Sequence, residues 1–291
     1  MTLITVLIGL VLERFVGYLD EFRQLGWFRR YGEWLQARLG GVADGVAGVV
    51  LILAGPALLI WGVAALLDDV LLGLLEIAFG VVVLLYTLGP RDLNQDVESY
   101  VEACNAGDEE RINLVTARLV DGPVPEEPVA RLRAVVEAVF TEANSRLMAV
   151  LFWFVILGPL GAVVYRLSHE LVRNAAEDSS LQKAATHWLA LVDWVPARLV
   201  ALFYALTGHF EDTLPALRRH LTGPLEELSA TNRALLAESG TASLEFEELV
   251  EEELDATQVS VILKTAINMV MRTLVLAITM LAVATLGGWT S

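Results

Sequence analysis

The side chains of this 291-residue chain that are capable of chemistry gather at the edges of apolar segments. Glu137, Glu142, Asn144 and Arg146 precede the apolar stretch 148–167, and Arg166, Glu170 and Arg173 follow it. On a helix, Glu142 with Arg146 and Arg166 with Glu170 fall at i, i+4, the spacing of salt bridges along one face. A second constellation sits inside the amphipathic stretch 187–206, which carries Asp193 and Arg198 around Pro196. A charge within a membrane costs about 2.5–3.5 kcal/mol on insertion scales, so these groups should pair or face a polar cavity. Asp193 and Arg198 lie about 140° apart around a regular helix and meet only if Pro196 distorts it. With Pro196 at the first position of a new helix, both would flank one N-terminus as a compact acid/base site at the membrane surface.

Other chemistry is missing from the sequence. The only lysines, Lys183 and Lys264, follow no glycine loop, which excludes a Walker-type phosphate cradle. G-x-S-x-G, H-E-x-x-H and C-x-x-C are all absent. His169, His187, His209 and His220 never fall at i, i+3 or i, i+4 from one another, so spacing argues for no metal site. The acidic run Glu245, Glu247, Glu248, Glu251, Glu252, Glu253 and Asp255 reads as a solvated helix face or linker; a divalent-cation or basic-partner site is the sharper alternative, without EF-hand spacing to support it. No catalytic residue and no cofactor is identified by pattern.

The elements that must position these residues are membrane elements. Hydrophobic residues make up 55% of the chain against 19% charged, mean hydropathy is +0.57, and the net charge is −16. Apolar and charged residues must therefore be segregated along the chain. The acidic balance excludes a nucleic-acid partner. The single Cys104 excludes a disulfide-stapled secreted module and suits a reducing cytoplasm. Five apolar segments stand out. The first covers about 2–19 and is broken by Glu13-Arg14; lacking a basic n-region and a small-x-small site, it reads as a retained membrane helix. Segments 42–67 and 70–88 form a helical hairpin turning at Asp68-Asp69, with Gly41 and Gly45 spaced for close approach of another helix. Segment 148–167 is interrupted by Gly158-Pro159-Leu160-Gly161, giving either a kinked span or a re-entrant pair of half-helices. The fifth lies within 265–291 and is a C-terminal span.

The expected fold class is all-α: a polytopic membrane protein with about four transmembrane helices, a re-entrant segment and helical cytoplasmic parts. Five regions follow: membrane helices in 1–90, a cytoplasmic helical region 91–147, the broken segment and amphipathic helix 148–206, an acidic helical region 207–264, and the terminal span 265–291. Within 91–147, helices are expected over 97–106 and 111–120, broken at Gly107-Asp108 and Gly122-Pro123. Arg14, Arg23, Arg29, Arg30 and Arg38 place the linker 13–41 in the cytoplasm and the Asp68-Asp69 corner outside. A re-entrant 148–167 keeps everything to 264 inside.

At Met1-Thr-Leu, Leu12-Glu-Arg14, Leu191-Val-Asp-Trp-Val-Pro-Ala-Arg-Leu199 and Tyr204-Ala-Leu-Thr-Gly-His209 the chain resembles the AmpE family of bacterial inner-membrane proteins. That resemblance runs nearly the whole length. It implies a multi-pass regulatory protein of β-lactamase induction, signalling cell-wall recycling status to a protein partner, and it adds His209 to the candidate ligand-binding residues. A more distant resemblance is to the adenosylcobinamide-phosphate synthase family of cobalamin biosynthesis. It rests on Glu142-Ala-Asn144, on Gly158-Pro-Leu-Gly161 with Tyr165-Arg166, and on Asp193, Pro196, Ala197, Arg198 and Leu199. It adds Tyr165 to the candidates and implies an enzymatic or ligand-binding alternative. The family's Asp-Gly is here Ser145-Arg146, and its Asn-Thr-x-Asp-Ser-Met block is here Ser168-His169-Glu170. Its Gly-Asp-Pro block is missing. Those departures argue against ATP-dependent amide ligation. A transporter, suggested by the broken segment, ranks third, since no inverted repeat accompanies it. Beyond the lipid bilayer, neither a ligand nor an oligomeric state can be read from the sequence.

Overall fold

Helix starts follow local capping chemistry in the computed structural model, which describes residues 2–15, 25–67, 73–88, 93–120, 122–221, 227–250 and 255–287. Asp108 accepts from Arg111 N at 3.0 Å, and Glu127 accepts from Val129 N and Ala130 N at 3.0 and 2.6 Å ahead of Pro128. Side-chain oxygens thus satisfy backbone donors that have no intrahelical acceptor, and proline loses nothing at the first helical position. Every regular element among the described residues is helical. The chain divides into two units.

The first unit takes residues 1–90, 146–194 and 281–291. Its helices are α1 (Thr2–Phe15), α2 (Gly26–Leu39), α3 (Gly45–Leu67), α4 (Leu74–Thr87), α8 (Ala149–Asn174) and the first part of α9 (Ser180–Thr207). α1 packs on α4 through small residues: a Cβ on Gly9 would stand 2.6 Å from Leu84, and one on Gly80 2.8 Å from Thr5. A core of Phe28, Ile52, Leu53, Val83, Leu167 and Leu181 joins α2, α3, α4, α8 and α9. Leu58, Leu59, Trp61 and Leu66 of α3 stay exposed, as a lipid-facing helix requires. Gly41 lies in the 3-10 turn Gly40–Ala43 rather than on a helix face, and no atom of the described residues crowds Gly41 or Gly45. The close approach on α3 occurs instead at Gly55, where a Cβ would stand 2.3 Å from the Tyr31 hydroxyl.

The second unit takes residues 91–145 and 195–280. It holds α5 (Leu93–Ala106), α6 (Glu109–Leu119), α7 (Pro128–Ala143), the rest of α9, α10 (Phe210–His220), α11 (Leu228–Ser243), α12 (Phe246–Leu249) and most of α13 (Ala256–Leu286). Breaks at Gly107 and Gly122 fall where turn chemistry places them. Arg131 is 7% exposed and donates to Glu109 and Asn113, both at 3.0 Å, tying α6 to α7. α7 meets α11 so closely that a Cβ on Gly240 would stand 2.2 Å from Phe140.

Among the described residues, four helical stretches are long and apolar enough to cross a membrane: Gly45–Leu67, Pro128–Asn174, Ser180–Thr207 and Ala256–Leu286. The chain is thus built as a multi-pass membrane protein. α1 and α4 are shorter apolar helices of 14 residues each in the described part. The expected tail of the first segment to Leu19, the Asp68-Asp69 corner and the acids 251–253 lie outside the described residues.

The apolar segment 148–167 continues to Asn174 but is broken at Gly158, with φ 64° and ψ −154°. Only glycine adopts that backbone region readily. Eight residues of straight helix advance about 12 Å, yet a Cβ on Gly161 would stand 2.2 Å from the Trp153 carbonyl. The chain therefore reverses at Gly158, and the two half-helices fold back on each other.

Candidate functional site

The reversal at Gly158 brings both halves of α8 to the same two residues of α9. From the first half, Trp153 Nε1 donates to the Val192 carbonyl at 3.2 Å. From the second half, the Tyr165 hydroxyl donates to Asp193 Oδ1 at 2.7 Å. Pro196 explains the first contact. It lies inside α9 and carries no N–H, so the carbonyl four residues back, Val192, has no helical donor. The indole takes that place.

Tyr165 and His169 lie one turn apart on α8 and present one face to α9. His169 Nε2 stands 3.0 Å from the Tyr165 hydroxyl and 4.0 Å from Asp193 Oδ2, and the two rings meet edge to face at 5.0 Å. The single phenolic proton points to Asp193, so the imidazole is the donor in the His169–Tyr165 contact. Ser168 on the same face accepts from Trp188 Nε1 at 2.9 Å and donates to the Val164 carbonyl at 2.7 Å. The result is a connected imidazole–phenol–carboxylate chain among apolar helices. It can hold a proton at any of three heteroatoms, or present a carboxylate and an imidazole to a polar ligand.

Arg166 pairs with Glu170 at 3.1 Å, both side chains 8% exposed, as the i, i+4 spacing anticipates. Arg173 approaches Glu170 at 3.7 Å and Asn174 donates to it at 3.5 Å. This side of α8 is an ion-pair cluster with two guanidinium groups around one carboxylate. A buried carboxylate with a guanidinium partner is tolerable where an isolated one is not.

The other candidates belong to the second unit, apart from Arg146, half-buried in the first. Glu142 is half-buried near the end of α7, and Asn144 is buried at the start of the π-helical turn Asn144–Met148. A π turn adds a residue to the helical repeat, and it carries Arg146, the expected i, i+4 partner of Glu142. Pro196 does not open a new helix: α9 runs unbroken from Ser180 to Thr207. The conditional acid/base site at a Pro196 N-terminus is therefore not formed. Arg198 instead closes the end of α10. It donates to the carbonyls of His220 and Leu221 at 3.4 and 3.3 Å and to Asn232 Oδ1 at 2.9 Å. A guanidinium there satisfies terminal carbonyls and the negative end of the helix dipole.

His209 immediately precedes α10. Its backbone N–H donates to the Ser243 carbonyl at 3.1 Å, and its Nδ1 lies 2.7 Å from Glu245 Oε1. Gly208 permits this approach, since a Cβ there would stand 2.3 Å from the Ser243 carbonyl. Tyr204, in the same sequence block, is buried and donates to the Phe140 carbonyl at 2.9 Å, a packing role.

Sequence reasoning missed His169, Trp153 and Trp188 as partners. The Tyr165/His169 spacing was a visible signal; the indole contacts had none, because they depend on the reversal at Gly158.

Comparison with known proteins adds a second line of evidence. The family described as "Regulatory signalling modulator protein AmpE" matches residues 1–286. Protein AmpE of Shigella flexneri is 30% identical over 229 residues, covering 74% of this chain and 78% of that protein. Cobalamin biosynthesis protein CobD of Chromobacterium violaceum is 36% identical over 146 residues, and that of Stutzerimonas stutzeri 35% over 147. Each of those two matches covers 47% of this chain, and 46% and 47% of the relatives. The chain thus spans about half the length of the CobD relatives it matches. No solved structure matches.

Proposed function

The chain belongs to the AmpE family, and we propose that it is a multi-pass inner-membrane regulator of β-lactamase induction, relaying cell-wall recycling status to a protein partner. The observation that carries this reading is the family match along residues 1–286. The Tyr165–Asp193–His169 chain is its functional centre. It joins the fold-back of α8 to α9 by one short hydrogen bond, so a change of charge or ligand at Asp193 reaches both elements.

Two contacts support the expected topology. Ser180 donates to Asp44 at the start of α3, so α3 and α9 begin at one level. Arg133 pairs with Glu247, so the regions 91–147 and 207–264 share a side. The arginines of 13–41 make the level of Asp44 and Ser180 cytoplasmic.

The test is β-lactamase induction in a deletion strain complemented with the wild-type gene or with Tyr165→Phe, Asp193→Asn or Arg198→Ala, each checked for normal membrane abundance. The expected result is rescue by the wild type and by Arg198→Ala where that variant accumulates, and impaired rescue by Tyr165→Phe and Asp193→Asn. Unchanged induction on deletion overturns the regulatory reading. A cobalamin-dependent growth defect in its place favours the enzymatic alternative. Full rescue by all three variants makes the Tyr165–Asp193 pair scaffold only.

A further inference from the structure

Away from the Tyr165–Asp193 chain, the second unit assembles three metal-ligating side chains from two parts of the sequence. His209 precedes α10, Asp212 lies in its first turn, and Glu245 immediately precedes α12. One ligand atom from each lies within 4.8 Å of the others. We propose that His209, Asp212 and Glu245 bind a transition-metal dication of the zinc class.

The backbone sets this geometry without help from the side chains. His209 N–H is held by the Ser243 carbonyl at 3.1 Å, and Glu245 N–H by the Ala242 carbonyl at 3.1 Å. Glu245 adopts a left-handed conformation, φ 55° and ψ 44°, which turns its carboxylate onto His209 Nδ1. Zinc-class ions sit about 2.0–2.2 Å from N and O ligands, so ligand atoms around one ion are about 3–3.5 Å apart. The His209–Glu245 separation of 2.7 Å opens to that value with a small rotation. Asp212 closes from within 4.8 Å by a side-chain rotation in the first turn of α10.

Charge supports the assignment. A simple His–Glu contact needs one carboxylate and one proton. Here two carboxylates converge on one imidazole, and a dication compensates both while leaving the imidazole neutral. One nitrogen and two oxygens form a mixed donor set suited to zinc or manganese; magnesium and calcium prefer oxygen alone. His209 and Asp212 are exposed, so the site opens to solvent and keeps coordination positions for water. A bound ion would staple the α9–α10 junction to the α11–α12 turn.

The test uses the full chain in detergent. Zinc titration against a chromogenic chelator should give one ion per chain, with a Kd on the order of 1–10 μM. Asp212→Asn and Glu245→Gly should each weaken binding at least tenfold. Glycine relieves the left-handed backbone while deleting the carboxylate, so Glu245→Gly separates ligand loss from misfolding. Cobalt substituted for zinc should give visible absorption bands that both variants lose. Absence of zinc binding, equal binding in wild type and both variants, or displacement of zinc by equimolar magnesium would each overturn the proposal.

Discussion

Trp153 Nε1 donates to the Val192 carbonyl, the one carbonyl of α9 that Pro196 deprives of its helical N–H. A sequence defect in one helix is thus repaired by a side chain from another, and the repair fixes where the first half of α8 sits. The dependence is testable by a double-mutant cycle. Trp153→Phe removes the donor and should cost about 1 kcal/mol in detergent unfolding. In a Pro196→Ala background, where alanine supplies the N–H, the same change should lose most of its hydrogen-bond component. Equal costs in both backgrounds would show that the indole acts by packing alone.

Tyr165→Phe and Asp193→Asn should differ. Phenylalanine removes the phenol's hydrogen bond to a charged carboxylate, a loss of about 1.5–3 kcal/mol. Asparagine keeps an acceptor for the hydroxyl and removes the charge, so it should cost less. Thermal midpoints of the purified variants decide this, and a larger loss for Asp193→Asn would contradict the assigned donor direction.

Gly158→Ala should damage the reversal. At φ 64° and ψ −154° an L side chain is strained by about 1–3 kcal/mol. The variant should lose that much stability, or straighten α8 and so lengthen the distance between spin labels at positions 153 and 161. A variant of unchanged stability and spacing would mean that the reversal does not depend on this backbone.

Topology is measurable at Ser180. In a Cys104→Ser background, Ser180→Cys should resist a membrane-impermeant maleimide applied to intact spheroplasts and react after permeabilisation. Labelling from outside would overturn the fold-back topology.

Cys104 reports on α5. Burial pushes its thiol up, against the opposing pull of a Tyr100 hydrogen bond and of Arg131. A raised value in the folded state means that the fold favours the neutral thiol. The corresponding stability is therefore lost as pH rises from the unfolded thiol's value through the folded one. Alkylation of the folded protein should lag behind that of the denatured chain and accelerate only above about pH 8.5. Half-maximal rates at or below that pH would contradict the half-buried placement.

Much of this was legible in the chain itself. Gly107 and Gly122 break the helices where expected, and Arg166 with Glu170 pairs at its i, i+4 spacing. These are local facts, decided by backbone conformation within a few residues. The π turn at Asn144–Met148 was not legible, nor was the passage of α9 through Pro196 with Trp153 donating to the Val192 carbonyl.

The sequence by itself determined an all-helical multi-pass membrane protein, its apolar segments and the break at Gly158, because partition into lipid and glycine's backbone freedom are summed over neighbouring residues. Tertiary structure alone decided that Asp193 answers to Tyr165 and His169 while Arg198 closes α10, and that Glu245 reaches His209. Those partners are 23 to 36 positions apart, and their meeting depends on which helix faces pack, a property no local pattern encodes. The charges around the apolar segments were visible from the start; the fold chose their partners.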